Sequence, residues 1–186
     1  MERTTYLRSP TIDPVPLIIN LVLFQLVWII TVLSVSLDRV WPGPTILSFF
    51  FAVHIIVSTS VRADFILAAI AVAMGLVIDT VLIQAGVLSF GINLPWAGVA
   101  PFWIWILWAN FALTLNGCLG WLQGRYKTAA MLGFVGGPLS YHFGIRLGAG
   151  ELLVTPLIAF LIIGLCWSVV TPLLLFTARE LTRRIK

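Results

Sequence analysis

Four polar side chains in otherwise apolar stretches of the sequence could carry chemistry. Asp79 could accept a proton, and His142, one helical turn before Arg146, could act as a base or bind an anionic headgroup. Asp79 and Arg146 could instead form a buried ion pair that fixes the register of two helices. His54, in another apolar stretch, is better explained as a hydrogen-bonded contact between helices.

Composition indicates the environment that these residues must tolerate. The chain has 186 residues, of which 60% are hydrophobic and 10% are charged, and its mean hydropathy is +1.07. A soluble domain of this length cannot bury so much apolar surface, so the bilayer is the expected solvent. The formal net charge of +4 does not indicate a nucleic-acid partner, because the basic residues flank apolar runs, where membrane topology places them.

Apolar runs of membrane-spanning length predict six helices in a single all-α transmembrane domain. They cover about residues 17–36, 44–60, 64–86, 101–121, 128–147 and 152–177. The first run is long enough to remain in the membrane as a signal anchor. The uncharged connection over residues 87–100 is expected to lie in the membrane interface or to fold back into the protein.

Lysine and arginine residues predict the orientation of the bundle. With a cytoplasmic N-terminus, the outer side carries only Arg39 and Arg146, whereas the other nine basic residues lie inside. Those nine are Arg3, Arg8, Arg62, Arg125, Lys127, Arg179, Arg183, Arg184 and Lys186. This distribution predicts a multi-pass inner-membrane protein with both termini in the cytoplasm.

Depth along the predicted helices places polar residues from helices two to five in the outer half of the membrane. The inner half is predicted to contain few polar residues. Buried polar groups must be satisfied by each other or by a bound guest, so we expect these groups to converge on one pocket. The candidate ligand-binding residues are Asp79, Trp103, Trp108, Asn110, Thr114, Tyr141, His142 and Arg146.

Two helical faces are expected to build this pocket and its surroundings. One stripe of the fourth helix combines aromatic, polar and small residues at helical period, although tryptophans near the boundary also fit an interfacial belt. The stripe comprises Trp103, Asn110, Thr114, Gly117 and Trp121. Small residues are interpreted as packing positions, because they let membrane helices approach closely. They are Gly75 in the third helix and Gly133, Gly137, Ser140, Gly144 and Gly148 in the fifth.

The sequence contains no recognisable metal or nucleophile motif. No HxxxH, HxxE or CxxC spacing occurs, so neither a metal nor another cofactor is expected. Cys118 and Cys166 lie inside apolar runs and are interpreted as packing residues. Ser140 lies close to His142 in sequence, but without a G-x-S-x-G elbow this pair does not indicate a hydrolase.

Three functional hypotheses fit these residues. The first is a protein that binds a lipid or other amphiphile in the predicted pocket, with the headgroup near His142 and Arg146. The second is the membrane-embedded substrate-binding subunit of a small-molecule transporter, although the bulky first helix lacks a small-residue docking face. The third is a scaffold for a membrane partner such as a lipid-modifying enzyme, with the basic C-terminal residues contacting headgroups or that partner.

Three motifs resemble those of a bacterial family of small inner-membrane proteins catalogued only as a domain of unknown function. They are Gly75-x-x-x-Asp79, the run from Pro101-x-Trp103 through Trp108-x-x-Phe111-x-x-Thr114-Leu115-Asn116, and GGPLSY (residues 136–141) followed by RLGA (residues 146–149). The resemblance covers roughly residues 17–178 and implies a compact helical inner-membrane protein with no known reaction. It also implies a link to lipid chemistry, because such proteins are often encoded near lipid-modifying enzymes of the cyclopropane-fatty-acid type.

Overall fold

The computed structural model describes residues 14–91 and 95–185, and within them the chain is mostly helical. The six α-helices are α1 (Pro14–Ser36), α2 (Pro42–Val57), α3 (Val61–Gln84), α4 (Phe102–Ala112), α5 (Tyr126–Arg146) and α6 (Pro156–Ile185). A single 3₁₀ turn covers Gly120–Leu122 in this part of the chain. Two strands, β1 (Leu88–Phe90) and β2 (Gly150–Leu152), pair antiparallel. The predicted all-α class is therefore right for the helices but misses this small sheet.

Three of the helices are long and apolar enough to cross a membrane. They are Pro16–Ser36, Val61–Gln84 and Pro156–Ile185, with mean hydropathies of 2.4, 2.6 and 2.4. The α2 and α4 helices are apolar but shorter. The α5 helix has 21 residues, but glycines and polar side chains reduce its hydropathy. Helix length and composition thus indicate a membrane protein.

The two strands follow helices that end in the same way. Gly86 after α3 and Gly148 after α5 adopt φ values of +67° and +94°. In the second case the next amide, that of Ala149, donates back to the Gly144 carbonyl at 3.1 Å. Such a left-handed cap turns the chain sharply out of the helix. Gly148, predicted on the packing face of the fifth helix, therefore lies in the turn after it.

The sheet joins the α3–α4 connection to the α5–α6 connection. Ser89 pairs with Glu151, and the backbones approach so closely at Gly150 that a Cβ atom there would collide with the Ser89 carbonyl. Leu88 and Phe90 are buried. The start of the connection over residues 87–100 thus folds back into the protein, which is one of the two predicted arrangements, whereas residues 92–94 lie outside the described residues.

The fourth helix is shorter than predicted. It ends at Ala112 instead of continuing to residue 121, and residues 113–119 form tight turns around an Asn-Gly pair. The Asn20 side chain of α1 supports these turns, because it donates to the Leu113 carbonyl and accepts from the Cys118 amide, both at 3.0 Å. Where a helix ends inside the membrane, its backbone N–H and C=O groups need hydrogen-bond partners within the protein. Asn20 supplies one acceptor and one donor for this segment.

Helix packing leaves one side of the bundle loosely filled. The α5 helix packs along α6, α3 packs against α4 and α6, and α1 packs against α2 and α4. Gly133 and Gly137 allow the close approach of α5 to α6, since a Cβ atom at either position would collide with Trp167 or Thr171. The α1 and α5 helices make fewer close contacts with each other, and a cavity lies between them.

Candidate functional site: a cavity between α1, α4 and α5

The cavity has a volume of about 490 Å³ and is lined mostly by apolar side chains. Residues of α1, α4 and α5 form most of its wall, and α6 closes it from behind. The wall includes Gln25 and Trp28 of α1, Phe90 of β1, Trp103 and Trp108 of α4, Leu132, Gly136, Ser140, Tyr141, Phe143 and Gly144 of α5, and Trp167 and Thr171 of α6. Pockets of this size accommodate small organic ligands, whose usual range is about 300–1,000 Å³.

Aromatic rings form the wall on the side of α4 and α6. The indoles of Trp108 and Trp167 are stacked, with centroids 4.8 Å apart and an interplanar angle of 17°. Nearer the sheet, Trp103 meets Phe90 edge-on at 5.0 Å. These rings are large, rigid and apolar, so this wall suits an apolar guest of matching shape.

Asp79 holds two of the aromatic side chains in place. Its side chain is completely buried on α3. One carboxyl oxygen accepts from Trp108 Nε1 at 2.7 Å, and the other accepts from the Tyr141 hydroxyl at 2.5 Å. Gly75, one turn earlier, lies under the Trp108 indole, which occupies the space that a Cβ atom would need. Asp79 therefore positions Trp108 and Tyr141 and has both oxygens engaged within the protein.

The small residues of α5 all line the cavity, but they differ in what surrounds them. Gly133 and Gly137 also pack closely against α6. Gly144 lines the cavity, and a Cβ atom there would meet nothing within 4 Å. The same is true of Gly136. These two glycines therefore leave cavity space that side chains would otherwise fill.

A hydrogen bond joins α1 to α5 across the cavity. Trp28 Nε1 donates to the Ser140 hydroxyl at 2.9 Å. Gln25, one turn before Trp28, lines the cavity and is exposed at the surface of the bundle. On the α5 side, Leu132, Gly136 and Phe143 also line the cavity and are exposed. The cavity is thus bordered by surface residues between α1 and α5.

The predicted convergence of polar groups on one pocket is only partly correct. Asp79, Trp108 and Tyr141 meet, whereas His142 and Arg146 lie on the exposed face of α5 and are not part of the cavity wall. The predicted ion pair between Asp79 and Arg146 is wrong, because Asp79 is fully buried and bonded to Trp108 and Tyr141. Successive helix positions are rotated by about 100°, so Tyr141 points inward and His142 outward.

The remaining polar candidates of the fourth helix are buried beside the cavity. The Asn110 amide donates to the Phe24 carbonyl of α1 at 3.0 Å, and the Thr114 hydroxyl donates to the Phe111 carbonyl at 2.6 Å. Neither side chain is part of the cavity wall. The predicted stripe is interrupted because α4 ends at Ala112, and Trp121 beyond this end is exposed.

A second polar cluster lies at the opposite end of the bundle, next to the α2–α3 turn. His54 Nε2 lies 2.9 Å from Asp64 Oδ2, which also accepts from the Ser58 hydroxyl at 2.6 Å. Asn116 Nδ2 donates to Asp64 Oδ1 at 2.6 Å. The expected helix–helix contact of His54 is confirmed, but His54 contacts Asp64, about 22 Å along α3 from Asp79, so its expected convergence with Asp79 on one pocket is wrong.

This second cluster depends on the early end of α4. Asn116 lies in the turns after Ala112, and these turns hold its side chain against Asp64 of α3. A smaller cavity of about 140 Å³ lies beside His54 and Asn116. Among the described residues, no group of three or more His, Cys, Asp and Glu side chains could hold a metal ion.

Sequence reasoning missed three important residues of the cavity wall: Trp28, Trp167 and Phe90. The two tryptophans lie well inside apolar helices, whereas interfacial tryptophans are found near helix ends. A tryptophan within a span has an indole N–H that needs a partner, and this would have marked Trp28 as a contact between helices. Trp167 makes its contact by stacking on Trp108. Phe90 had no comparable signal, because its position depends on the pairing of β1 with β2.

Comparison with known proteins identifies a family but no function. A family model described as "Protein of unknown function (DUF2878)" matches residues 17–173, so the chain belongs to this family. No curated protein and no solved structure matches the chain.

Proposed function

We propose that this member of the DUF2878 family binds the apolar part of a lipid or other amphiphile in the cavity between α1, α4 and α5. The observation that carries the proposal is the cavity of about 490 Å³. Its wall contains aromatic rings and two glycines, Gly136 and Gly144, at which a Cβ atom would meet nothing within 4 Å. An apolar guest would gain stacking and dispersion contacts with Trp103, Trp108 and Trp167. Asp79 contributes indirectly, since it fixes the Trp108 ring and the Tyr141 hydroxyl.

Access to the cavity from the bilayer supports this class of ligand. Leu132 and Phe143 line the cavity and are 47% and 55% exposed. In a membrane, exposed apolar side chains of a helix face the acyl chains of lipids. A guest that is already dissolved in the bilayer can therefore enter between α1 and α5 without crossing water.

Filling the cavity tests the proposal. Gly144→Leu adds a side chain at a position where a Cβ atom meets nothing, and leucine also favours helix over glycine, so the variant is expected to fold. The matched control is Val135→Leu, since Val135 is exposed on the same helix and is not part of the cavity wall. Both variants and the unmodified protein would be purified in mild detergent and incubated with methyl oleate.

Native mass spectrometry would then measure the bound ester. The unmodified protein and Val135→Leu are expected to retain about one molecule per chain, and Gly144→Leu is expected to lose most of it because the added side chain occupies the space. Thermal unfolding of the three proteins establishes that they are equally folded. A folded Gly144→Leu protein that retains as much ester as the control would disprove ligand binding in this cavity.

We also propose that the chain is a multi-pass protein of a bacterial inner membrane, with six spans and both termini in the cytoplasm. Arg62, Arg125 and the basic end of α6 lie at one end of this arrangement, and Arg39 and Arg146 lie at the other. The turns after α4 would complete the short fourth span, since Asn20 satisfies their backbone. Fusion of alkaline phosphatase to the C-terminus should give an inactive reporter, and an active one would overturn the topology.

His142 and Arg146 are proposed to contact a lipid headgroup at the membrane boundary. Both are exposed near the end of α5, where a basic side chain can reach anionic headgroups. Arg146→Gln is expected to reduce the amount of phosphatidylglycerol that co-purifies with the protein while leaving methyl oleate binding unchanged. An equal loss of co-purified phosphatidylglycerol and of methyl oleate binding would show that Arg146 stabilises the fold and does not bind a headgroup.

A further inference from the structure

The cavity between α1, α4 and α5 is elongated along the helices. Residues of its wall occur at every turn of α5 from Leu132 to Ile145, a distance of about 20 Å along the helix axis. On α1 the wall extends from Phe24 to Val32, which is about 12 Å. A guest that fills this space is therefore long in one direction, which lies along α5.

Buried side chains close both ends of the cavity. At the end next to the sheet, the wall is formed by Phe90, Trp103 and Ala149, which are all buried. At the other end, close to the start of α5, the wall includes the buried Leu122. The cavity is instead open sideways, between α1 and α5, where wall residues such as Gln25 are exposed. The closed ends set a limit to the length of a bound guest.

The volume of the cavity indicates its average width. Distributed over a length of about 20 Å, the volume of about 490 Å³ corresponds to a cross-section of about 25 Å², or about 5 Å across. Carbon atoms in contact lie about 3.5–4.0 Å apart. This width accommodates one hydrocarbon chain, whereas a second chain, a fused ring system or a series of methyl branches would need the wall to move.

Length and volume agree on the number of carbon atoms that the cavity can hold. A methylene group is about as large as a water molecule, which occupies about 30 Å³, so the volume holds about 16 of them. Carbon–carbon bonds of about 1.5 Å advance an extended zigzag chain by about 1.3 Å per bond, so a length of about 20 Å also takes about 16 carbon atoms.

We infer that the cavity takes one unbranched acyl chain of about 16 carbon atoms, which lies along α5 with its polar end at the opening beside Gln25 and its methyl end at the sheet. The inference rests on the function proposed above and narrows its ligand class to straight-chain acyl lipids. The exposed amide of Gln25 can donate to an ester oxygen. Phe90 and Ala149, at the closed end, offer apolar contacts to a methyl group.

A competition among esters tests the length and the shape of the guest. Purified protein in mild detergent would be incubated with an equimolar mixture of the methyl esters of caprylic, lauric, palmitic, stearic and behenic acids. Methyl phytanate, which is methyl palmitate with four added methyl branches, would be included. Native mass spectrometry would identify the bound ester. Methyl palmitate is expected to exceed the caprylate, behenate and phytanate esters by at least about fivefold, because space left empty or overfilled weakens binding.

Two substitutions should move the preferred length in opposite directions. Gly144→Leu adds four carbon atoms to a part of the wall where a Cβ atom meets nothing, so the preferred ester should shorten from palmitate to laurate. Phe90→Leu removes three carbon atoms from the closed end, so the preferred ester should lengthen from palmitate to stearate. Val135→Leu, outside the wall, is the control and should leave the preference unchanged. Thermal unfolding would establish that each variant is folded, and Gly144→Leu decides alone if Phe90→Leu is not.

The outcomes separate this inference from the proposed function. If the esters bind without a length preference, or methyl phytanate binds as well as methyl palmitate, the inference is wrong while ligand binding in the cavity stands. A preferred length that is unchanged in the folded variants also overturns it, because the closed end would then not limit the chain. If none of the esters binds, the proposed function itself fails.

Discussion

Removal of the Asp79 carboxylate should destabilise the protein through two side chains that it holds. In Asp79→Leu, the Trp108 N–H and the Tyr141 hydroxyl lose their acceptor at a site with no solvent exposure. Each unsatisfied donor costs about 1–3 kcal/mol, which gives a total of about 2–6 kcal/mol. Hydrogen bonds between membrane helices average about 0.6 kcal/mol and reach about 1.7 kcal/mol, so we expect the lower part of this range, about 2–3 kcal/mol.

A double-mutant cycle isolates the contribution of the Tyr141 hydroxyl. Tyr141→Phe removes the donor that Asp79→Leu leaves unsatisfied, so the double variant should be more stable than the sum of the single effects predicts, by about 1 kcal/mol. Asp79→Asn should be milder than Asp79→Leu, because its amide can accept from Trp108 while it donates to the phenolic oxygen. The assay is reversible unfolding in mixed micelles, followed by tryptophan fluorescence. Strictly additive effects, or an Asp79→Leu protein as stable as the unmodified one, would refute the reasoning.

Three further predictions concern packing, the second cluster and access. Gly75→Ala should lower the free energy of unfolding by about 1–3 kcal/mol, because the added Cβ atom would overlap the Trp108 indole. Gly136→Ala adds a Cβ atom that meets no neighbour, so it should be neutral or stabilising in the same unfolding assay. Asp64→Leu should destabilise the protein by roughly 2–4 kcal/mol, because His54, Ser58 and Asn116 lose the carboxylate that they contact. An unchanged free energy of unfolding would show that water replaces the carboxylate. Ser140→Ala should speed the exchange of bound methyl oleate because it removes the bond from Trp28, and an unchanged exchange rate would place the opening elsewhere.

The sequence predicts the long helices well because hydropathy and length determine them directly. The first predicted span, 17–36, and the third, 64–86, lie within a few residues of α1 (Pro14–Ser36) and α3 (Val61–Gln84). Asp79 could also be identified, since a carboxylate within an apolar helix must have partners. Its actual partners, an indole and a phenol instead of a guanidinium, could not be predicted, because they depend on how two other helices are rotated.

The incorrect predictions for the fourth helix arise from the irregular segment that follows it. A helical-period argument assumes that the helix continues, and it assigns Gly117 and Trp121 to a stripe that exists only if it does. The chain instead leaves the helix after Ala112, where Asn20, distant in sequence, satisfies the released backbone. The Asn-Gly pair at residues 116–117 is a turn signal, but the surrounding apolar residues outweighed it in the prediction of a span over residues 101–121.

The two carboxylates of α3 explain why the cavity lies between α1 and α5. Asp64 and Asp79 are about 22 Å apart along the helix, and each accepts a hydrogen bond from the chain of the fourth segment, through Asn116 and Trp108 respectively. The α3 helix and this segment are therefore fixed to each other at two depths by buried polar contacts. The link from α1 to α5 described above joins Trp28 to a half-buried serine hydroxyl. Because a neutral, partly exposed bond is weaker than bonds to a buried carboxylate, the bundle should open where α1 meets α5, and that is where the exposed residues of the cavity wall lie.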